Sequence, residues 1–138
     1  MTRPLAVIPI ALAACVLAAM APASAETIRG TGGDDRLTGT AQPDRISGLG
    51  GADTLFGGGA ADVEYGGAGG DVVHGGPGAD TLYPQAGRDL VFGDGGADHI
   101  RAGDGRHDVV RCGPGFDTAW VDRGDTRRGC EFVEVFPG

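Results

Sequence analysis

The chain has 138 residues, 28 of them glycine, and a formal net charge of -8 without a single lysine. This length suggests one domain, and so much glycine argues against an ordinary globular fold, because glycine loses the most backbone entropy on folding. The acidic balance argues against a nucleic-acid partner, since binding a phosphate backbone requires a basic surface. A cation is the more natural partner.

The N-terminus has the pattern of a secretory signal peptide. Arg3 precedes an apolar run, Leu5 to Met20, and the small-residue site "APASA" follows. The run is interrupted by Pro9 and is short for a membrane span. We therefore predict a signal peptide over residues 1–25 and no transmembrane segment in the mature chain.

A lipid-anchored protein is the alternative. "LAAC" at residues 12–15 resembles a lipobox, which precedes an acylated cysteine. The apolar run continues past Cys15, however, where a polar tether is usual. We predict a secreted, extracellular protein and keep anchoring through Cys15 as the second interpretation.

From Gly30 the chain divides into eight consecutive units of nine residues, and such repeats decide the fold. The eighth position is apolar in seven units, and the sixth is aspartate in all eight. These aspartates are Asp35, Asp44, Asp53, Asp62, Asp71, Asp80, Asp89 and Asp98. After one inserted residue the phase resumes with Asp108, and a last unit contains Asp117. A disordered acidic linker is the alternative, but a linker has no reason to keep an apolar residue in phase.

The repeat resembles the nonapeptide G-G-x-G-x-D-x-U-x of the RTX (hemolysin-type) calcium-binding proteins. The resemblance covers Gly30 to Trp120. It implies an all-β fold, a parallel β-roll (right-handed β-solenoid) in which two nines make one coil. It also implies that several Ca²⁺ ions bind between turns that stack 18 residues apart.

The resemblance assigns the ligands of these ions to the turns. Ca²⁺ takes about six to eight oxygens, which carboxylates and backbone carbonyls supply. The predicted ligands are the eight sixth-position aspartates and the glycines Gly48, Gly50, Gly57, Gly59, Gly66, Gly75, Gly93 and Gly95. We expect the best sites to pair Asp53 with Asp71, Asp71 with Asp89, and Asp80 with Asp98.

Three departures from the pattern affect single units. Gln42 and Pro43 occupy the turn before Asp44, so we expect a weak site there. Ala60 replaces a glycine in the turn before Asp62, which puts sites at that residue in doubt. Glu64 occupies an inward position, where a carboxylate is costly unless it is protonated or paired.

The two cysteines that remain after removal of the signal peptide are 18 residues apart. If the winding continues, Cys112 and Cys130 lie on neighbouring strands within bonding distance, so we predict a disulfide between them. Residues 26–120 are predicted to form the repeats and residues 121–138 a C-terminal cap, which such stacks require.

Five aromatic residues share the outward-facing ninth position. They are Phe56, Tyr65, Tyr83, Phe92 and Trp120. Stacking would place Phe56 and Phe92 with His74 on one face, and the two tyrosines on the other. They either pack along the ladder of strands or form a platform for an extracellular protein or carbohydrate partner.

No catalytic residue is predicted. Ser47 is the only serine after the signal peptide and lacks a G-x-S-x-G context, and the chain has no H-E-x-x-H motif. His99 and His107 adjoin aspartates, which we interpret as incidental. We expect a non-enzymatic, calcium-dependent structural or interaction module. The alternatives are an accessory fragment of a secreted hydrolase or toxin, or a carbohydrate- or protein-binding surface module.

Overall fold

The computed structural model describes residues 24–137, which form thirteen short β-strands joined by turns. In chain order the strands are β1 Thr27–Arg29, β2 Arg36–Thr38, β3 Arg45–Gly50, β4 Thr54–Phe56, β5 Val63–Ala68, β6 Val72–Pro77, β7 Thr81–Ala86, β8 Leu90–Gly95, β9 His99–Arg101, β10 Val109–Arg111, β11 Thr118–Asp122, β12 Thr126–Arg128 and β13 Phe132–Phe136. This described part has no helix that is long and apolar enough to cross a membrane. The predicted signal peptide, except for Ser24 and Ala25, lies outside the described residues, and so does Cys15.

The strands alternate between two parallel sheets. The odd-numbered strands form a seven-stranded sheet in the order β1-β3-β5-β7-β9-β11-β13, and the even-numbered strands form a six-stranded sheet. Each strand pairs with the strand two places further along the chain, so one coil holds two strands. In the repeats the paired residues are 18 apart, as in Ile46 with Glu64 and Leu55 with Val73. This topology confirms the predicted parallel β-roll.

The core is a thin column to which each nine contributes one large side chain. Six apolar eighth-position residues from both sheets are completely buried: Ile46, Leu55, Val73, Leu82, Val91 and Ile100. Their seventh- and ninth-position neighbours are more exposed, as the two-residue alternation of a strand requires. Because this core is thin, the roll depends on other contacts between its coils.

In the six nines from Gly48 to Arg101, the turns have left-handed backbone at the second and fourth positions. Gly67 and Gly69 have φ values of 120° and 134°, which glycine adopts without steric cost. Four non-glycine residues adopt left-handed φ as well: Leu49, Ala60, Gln85 and Asp94. Ala60, with φ of 74°, therefore keeps the turn conformation that we expected only of glycine. A side chain in this region costs about 1–2 kcal/mol, which the stacking of neighbouring coils must offset.

The last residues of the chain extend both sheets. β12 pairs with β10 and β13 pairs with β11, both in parallel register. The predicted boundary between residues 120 and 121 falls inside β11, so the predicted cap is continuous with the repeats. Cys112 and Cys130 form the predicted disulfide, with Cα atoms 5.2 Å apart. The bond joins the turn after β10 to the turn after β12.

Glu64 lies inside the roll, as its inward position predicted. It pairs in register with Ile46 and Leu82, its side chain is 0% exposed, and both carboxylate oxygens lack a hydrogen-bond partner. Burial, with the nearby charges of Asp80 and Asp62, raises the pKa of Glu64 to about 9. Glu64 is therefore protonated at neutral pH, a neutral but unsatisfied group in the apolar column.

Replacing Glu64 by leucine should stabilise the folded protein. Leucine fills the same column as its neighbours and removes the unpartnered carboxyl, so we expect a gain of about 2 kcal/mol in the free energy of unfolding. Thermal unfolding in saturating calcium, the ion that the resemblance implies, measures the gain. Glu64→Gln is the matched control, because its amide remains unpartnered and should not stabilise. A lower melting temperature for Glu64→Leu would show that Glu64 does not lie in the core.

Candidate metal centre

The sixth-position aspartates form two rows, one along each edge of the roll. In one row the backbone N–H of Asp53 donates to Oδ1 of Asp71 at 2.9 Å, and the N–H of Asp71 donates to Oδ1 of Asp89 at 2.8 Å. The other row repeats this contact from Asp62 to Asp80 and from Asp80 to Asp98, at 2.8 and 2.9 Å. Each carboxylate is thereby fixed against the coil before it. The pairs that we expected to share sites are brought together.

The second carboxylate oxygen of most of these aspartates lacks a partner. Among the described residues, the buried Oδ2 atoms without a hydrogen bond belong to Asp53, Asp62, Asp71, Asp80, Asp89, Asp98, Asp108 and Asp117. All eight side chains are at most 3% exposed. A buried acceptor without a partner costs about 1–3 kcal/mol, and more when it is charged. Eight such atoms in two rows indicate that a cation or a proton belongs there.

In five of these turns Oδ2 points toward a first-position glycine, where backbone carbonyls also converge; the aspartates are Asp53, Asp62, Asp71, Asp80 and Asp98. A Cβ atom added to Gly66 would lie 2.5 Å from Oδ2 of Asp71 and 2.5 Å from the carbonyl oxygen of Pro84 in the next coil. At Gly75 the same position lies 2.6 Å from Oδ2 of Asp80 and 2.9 Å from the carbonyl oxygen of Gly93. First-position glycine thus leaves room in which carboxylate and carbonyl oxygens of two coils approach each other.

The electrostatics of the rows agree with this arrangement. Burial raises the pKa of Asp98 and Asp108 to about 7 and that of Asp80 and Asp89 to about 6, and charges of nearby carboxylates add to the shift. Burial likewise raises the pKa of Asp62, Asp71 and Asp117. Such shifts indicate negative charge that lacks a counter-charge.

The first two aspartates differ from the rest. Thr31 donates its N–H and hydroxyl to Oδ2 of Asp35, and Thr40 does the same for Oδ2 of Asp44. Burial acts to raise the pKa of Asp44, but hydrogen bonds from the N–H groups of Thr40 and Glu26 outweigh it and lower the pKa. Both aspartates remain predicted ligands, with Oδ2 satisfied inside their own turn.

The doubt about Asp62 finds no support in the geometry of its turn. Like the Oδ2 atoms of the neighbouring aspartates, its Oδ2 has no hydrogen-bond partner, and a Cβ added to Gly57 would lie 2.6 Å from it. The third-position glycines lie further round the turn; the carbonyl of Gly95 accepts the N–H of Gly78 at 2.8 Å. Gly50 and Gly59 occupy the corresponding position in their turns.

Two acids that the repeat pattern missed continue the rows. The N–H of Asp108 donates to Oδ1 of Asp125 at 2.9 Å, and the N–H of Asp117 donates to Oε2 of Glu131 at 2.8 Å. Spacings of 17 and 14 residues replace the usual 18, so the period could not identify them. The Asp-Thr pair at Asp125, which matches "DT" at Asp53, was the available signal.

The donor set suits a hard cation. Within residues 24–137 no three or more His, Cys, Asp or Glu side chains stand together as a metal cluster. A cation in these turns would therefore combine carboxylates with backbone carbonyls. All of these ligands are oxygens, as Ca²⁺ prefers, and none is the sulfur or imidazole that transition metals favour.

The outward aromatic residues form the two predicted groups. Tyr65 and Tyr83 stack with ring centroids 4.9 Å apart and planes at 6°. His74 lies between Phe56 and Phe92, with centroids 5.1 and 4.3 Å away. Because the rings cover each other's faces, the geometry favours packing along the ladder over an open platform.

Comparison with known proteins identifies the repeat. The family model for the RTX calcium-binding nonapeptide repeat, which describes four copies, matches residues 29–64, 65–100 and 85–106. These matches together cover more than half of the chain. No curated protein and no solved structure matches it. With its nine-residue period, two stacked sheets and rows of aspartates, the chain belongs to the family of RTX calcium-binding nonapeptide repeat proteins.

Proposed function

We propose that this chain is a secreted, non-enzymatic structural module whose fold is completed by several Ca²⁺ ions bound between neighbouring coils. One observation carries the proposal: eight buried Oδ2 atoms lack a partner although Oδ1 of each carboxylate is held by a backbone N–H. The aspartates are thus oriented, and the remaining oxygen of each is free for a cation.

The proposed carboxylate ligands are six repeat aspartates whose buried Oδ2 atoms lack a hydrogen-bond partner. One row consists of Asp53, Asp71 and Asp89, and the other of Asp62, Asp80 and Asp98. Carbonyls of Gly48, Gly57, Gly66, Gly75 and Gly93 would contribute from the turns. We propose residues 26–120 as the calcium-binding repeats and residues 121–138 as a C-terminal cap that extends both sheets.

Calcium would act on the folding equilibrium. The ion binds the stacked turns and not the unfolded chain, so it stabilises the fold by mass action. Extracellular modules bind Ca²⁺ with Kd of about 10⁻⁴–10⁻³ M. A roll with such sites would stay unfolded where calcium is scarce and fold after export.

Two features support the proposed export. Residues 1–25 have the pattern of a signal peptide. The disulfide between Cys112 and Cys130 is of a kind that persists in oxidising compartments. The alternative of a lipid anchor on Cys15 places the same module at a membrane surface.

A surface module for a carbohydrate or protein partner is the second candidate. A groove of about 280 Å³ on the seven-stranded sheet is lined by Arg101, Gly103, Trp120 and Phe136. The guanidinium of Arg101 lies 4.8 Å from the centroid of the Trp120 ring. An exposed cation beside an aromatic ring suits such a partner, and calcium would then hold the surface in shape.

Circular dichroism tests the proposed function directly. The full chain, produced in a host that exports it, is expected to lack β signal in chelator at pH 8 and to gain it cooperatively with millimolar calcium. Magnesium at equal concentration is the control and should not substitute, because it demands smaller octahedral geometry and keeps its waters. An identical β spectrum in chelator and in calcium would contradict the proposal.

A further inference from the structure

Both ends of the roll present strands with one unpaired edge. In the seven-stranded sheet β1 pairs only with β3, and β13 pairs only with β11; in the other sheet β2 and β12 are the outermost strands. Within residues 24–137 no strand covers these four edges. A parallel edge with free N–H and C=O groups is a template for another strand.

The C-terminal edge is unusually apolar. In β13, Phe132 is 64% exposed, Phe136 48% and Val135 41%. Val133 packs against the core from one side, as Ile28 of β1 and Leu37 of β2 do at the opposite end. The inward column of the roll therefore ends in incompletely covered apolar side chains at both ends.

The register of these two edges is complementary. Ile28 continues the inward column through Ile46, and Val133 continues it through Ala119. If β13 of one molecule met β1 of another in the same parallel register, Val133 would lie beside Ile28 and Glu134 beside Arg29. Glu134 already accepts the indole N–H of Trp120 at 2.8 Å, which holds its carboxylate on this face.

The other sheet contributes no strand pairing to this contact. It has six strands and the first sheet has seven, so a β13–β1 pairing leaves β12 and β2 about two strand spacings apart. The association therefore rests on β13 and β1. An antiparallel pairing of two β13 strands centred on Glu134 would instead bring two glutamates together, which is unfavourable.

We propose that folded rolls associate end to end, with β13 of one copy adding to β1 of the next through the Glu134–Arg29 pair and the Val133–Ile28 contact. This association goes beyond the proposed function and requires the calcium-loaded fold. Because the two surfaces differ, the contact is heterologous and open-ended, so it gives chains of copies and not a closed dimer.

Sedimentation velocity of the exported full chain in calcium tests the association. The average mass should rise with protein concentration without reaching a plateau. Arg29→Glu and Glu134→Arg should each weaken self-association about tenfold, and the double reversal should restore it. Arg29 is exposed and outward, so the fold should survive, and circular dichroism in calcium checks this for every variant. Glu134→Gln keeps an acceptor for Trp120 and isolates the effect of charge.

Each alternative result is decisive. A constant monomer mass for the folded wild type would refute the association and leave the proposed function intact. A mass that stops at two copies would indicate a closed contact and contradict the head-to-tail register. If neither Arg29→Glu nor Glu134→Arg changed the self-association, that register would also be rejected. A wild type that fails to fold in calcium would overturn both the association and the proposed function.

Discussion

Replacing Asp71 by alanine should abolish most of the calcium-dependent β-structure. The carboxylate of Asp71 accepts the N–H of Asp53 through Oδ1, and its own N–H donates to Asp89, so it joins three consecutive coils of one row. Its Oδ2 is buried and aimed at the space beside Gly66, where a carbonyl of the next coil approaches. Alanine removes one hydrogen bond to a charged group, about 1.5–3 kcal/mol, and a proposed calcium ligand.

Asp35→Ala is the matched control for this change. It removes the same side chain from the same row, but Oδ2 of Asp35 is satisfied by Thr31 inside its own turn. We expect Asp35→Ala to keep the fold with a small loss of stability. Circular dichroism in saturating calcium compares the folds, and calorimetric titration counts the ions. Equal damage from both substitutions would show that the orphaned oxygens do not mark the calcium ligands.

Without calcium, acid should favour the fold. The pKa of Asp98 and Asp108 is raised to about 7, and that of Asp80 and Asp89 to about 6, while their ordinary value is 3.8. The folded state therefore binds more protons than the unfolded chain between these values. A raised carboxyl pKa contributes stability that is fully present below about pH 4 and is lost as pH rises through 6 to 7. Protons would take the place of the cation on Oδ2.

Circular dichroism in chelator from pH 4 to pH 8 measures this dependence. The folded fraction should fall progressively as pH rises from about 4 to 7, the window between the ordinary and the raised pKa values, and should level off above it. In saturating calcium the sign should reverse, because protons then compete with the ion for the same oxygens. Asp98→Asn gives a neutral side chain at every pH and should flatten the curve in chelator. A metal-free fold that gains stability between pH 4 and 7 would contradict the assigned environment of the carboxylates.

The period of nine predicted most of the fold because a coil of two nines fixes which residues stack. Leu55 and Val73, or Asp53 and Asp71, are neighbours once the register is known. The period does not indicate which hydrogen bonds form within a turn. It could not show that Thr31 satisfies Asp35, since that contact depends on a hydroxyl at the second position. It also failed where spacing changes, as at Glu131.

The disulfide between Cys112 and Cys130 has a consequence for the order of folding. Contacts in the roll join each coil to its neighbours, so the chain resembles a zipper in which starting is costly and extension is cheap. The bond closes one coil at the C-terminal end and removes entropy from the unfolded chain at that place, about 3 kcal/mol for a loop of this size. At the opposite end Ile28 and Leu37 are only partly covered. We therefore expect winding to begin at the C-terminal end and proceed toward β1, and fraying to begin at β1.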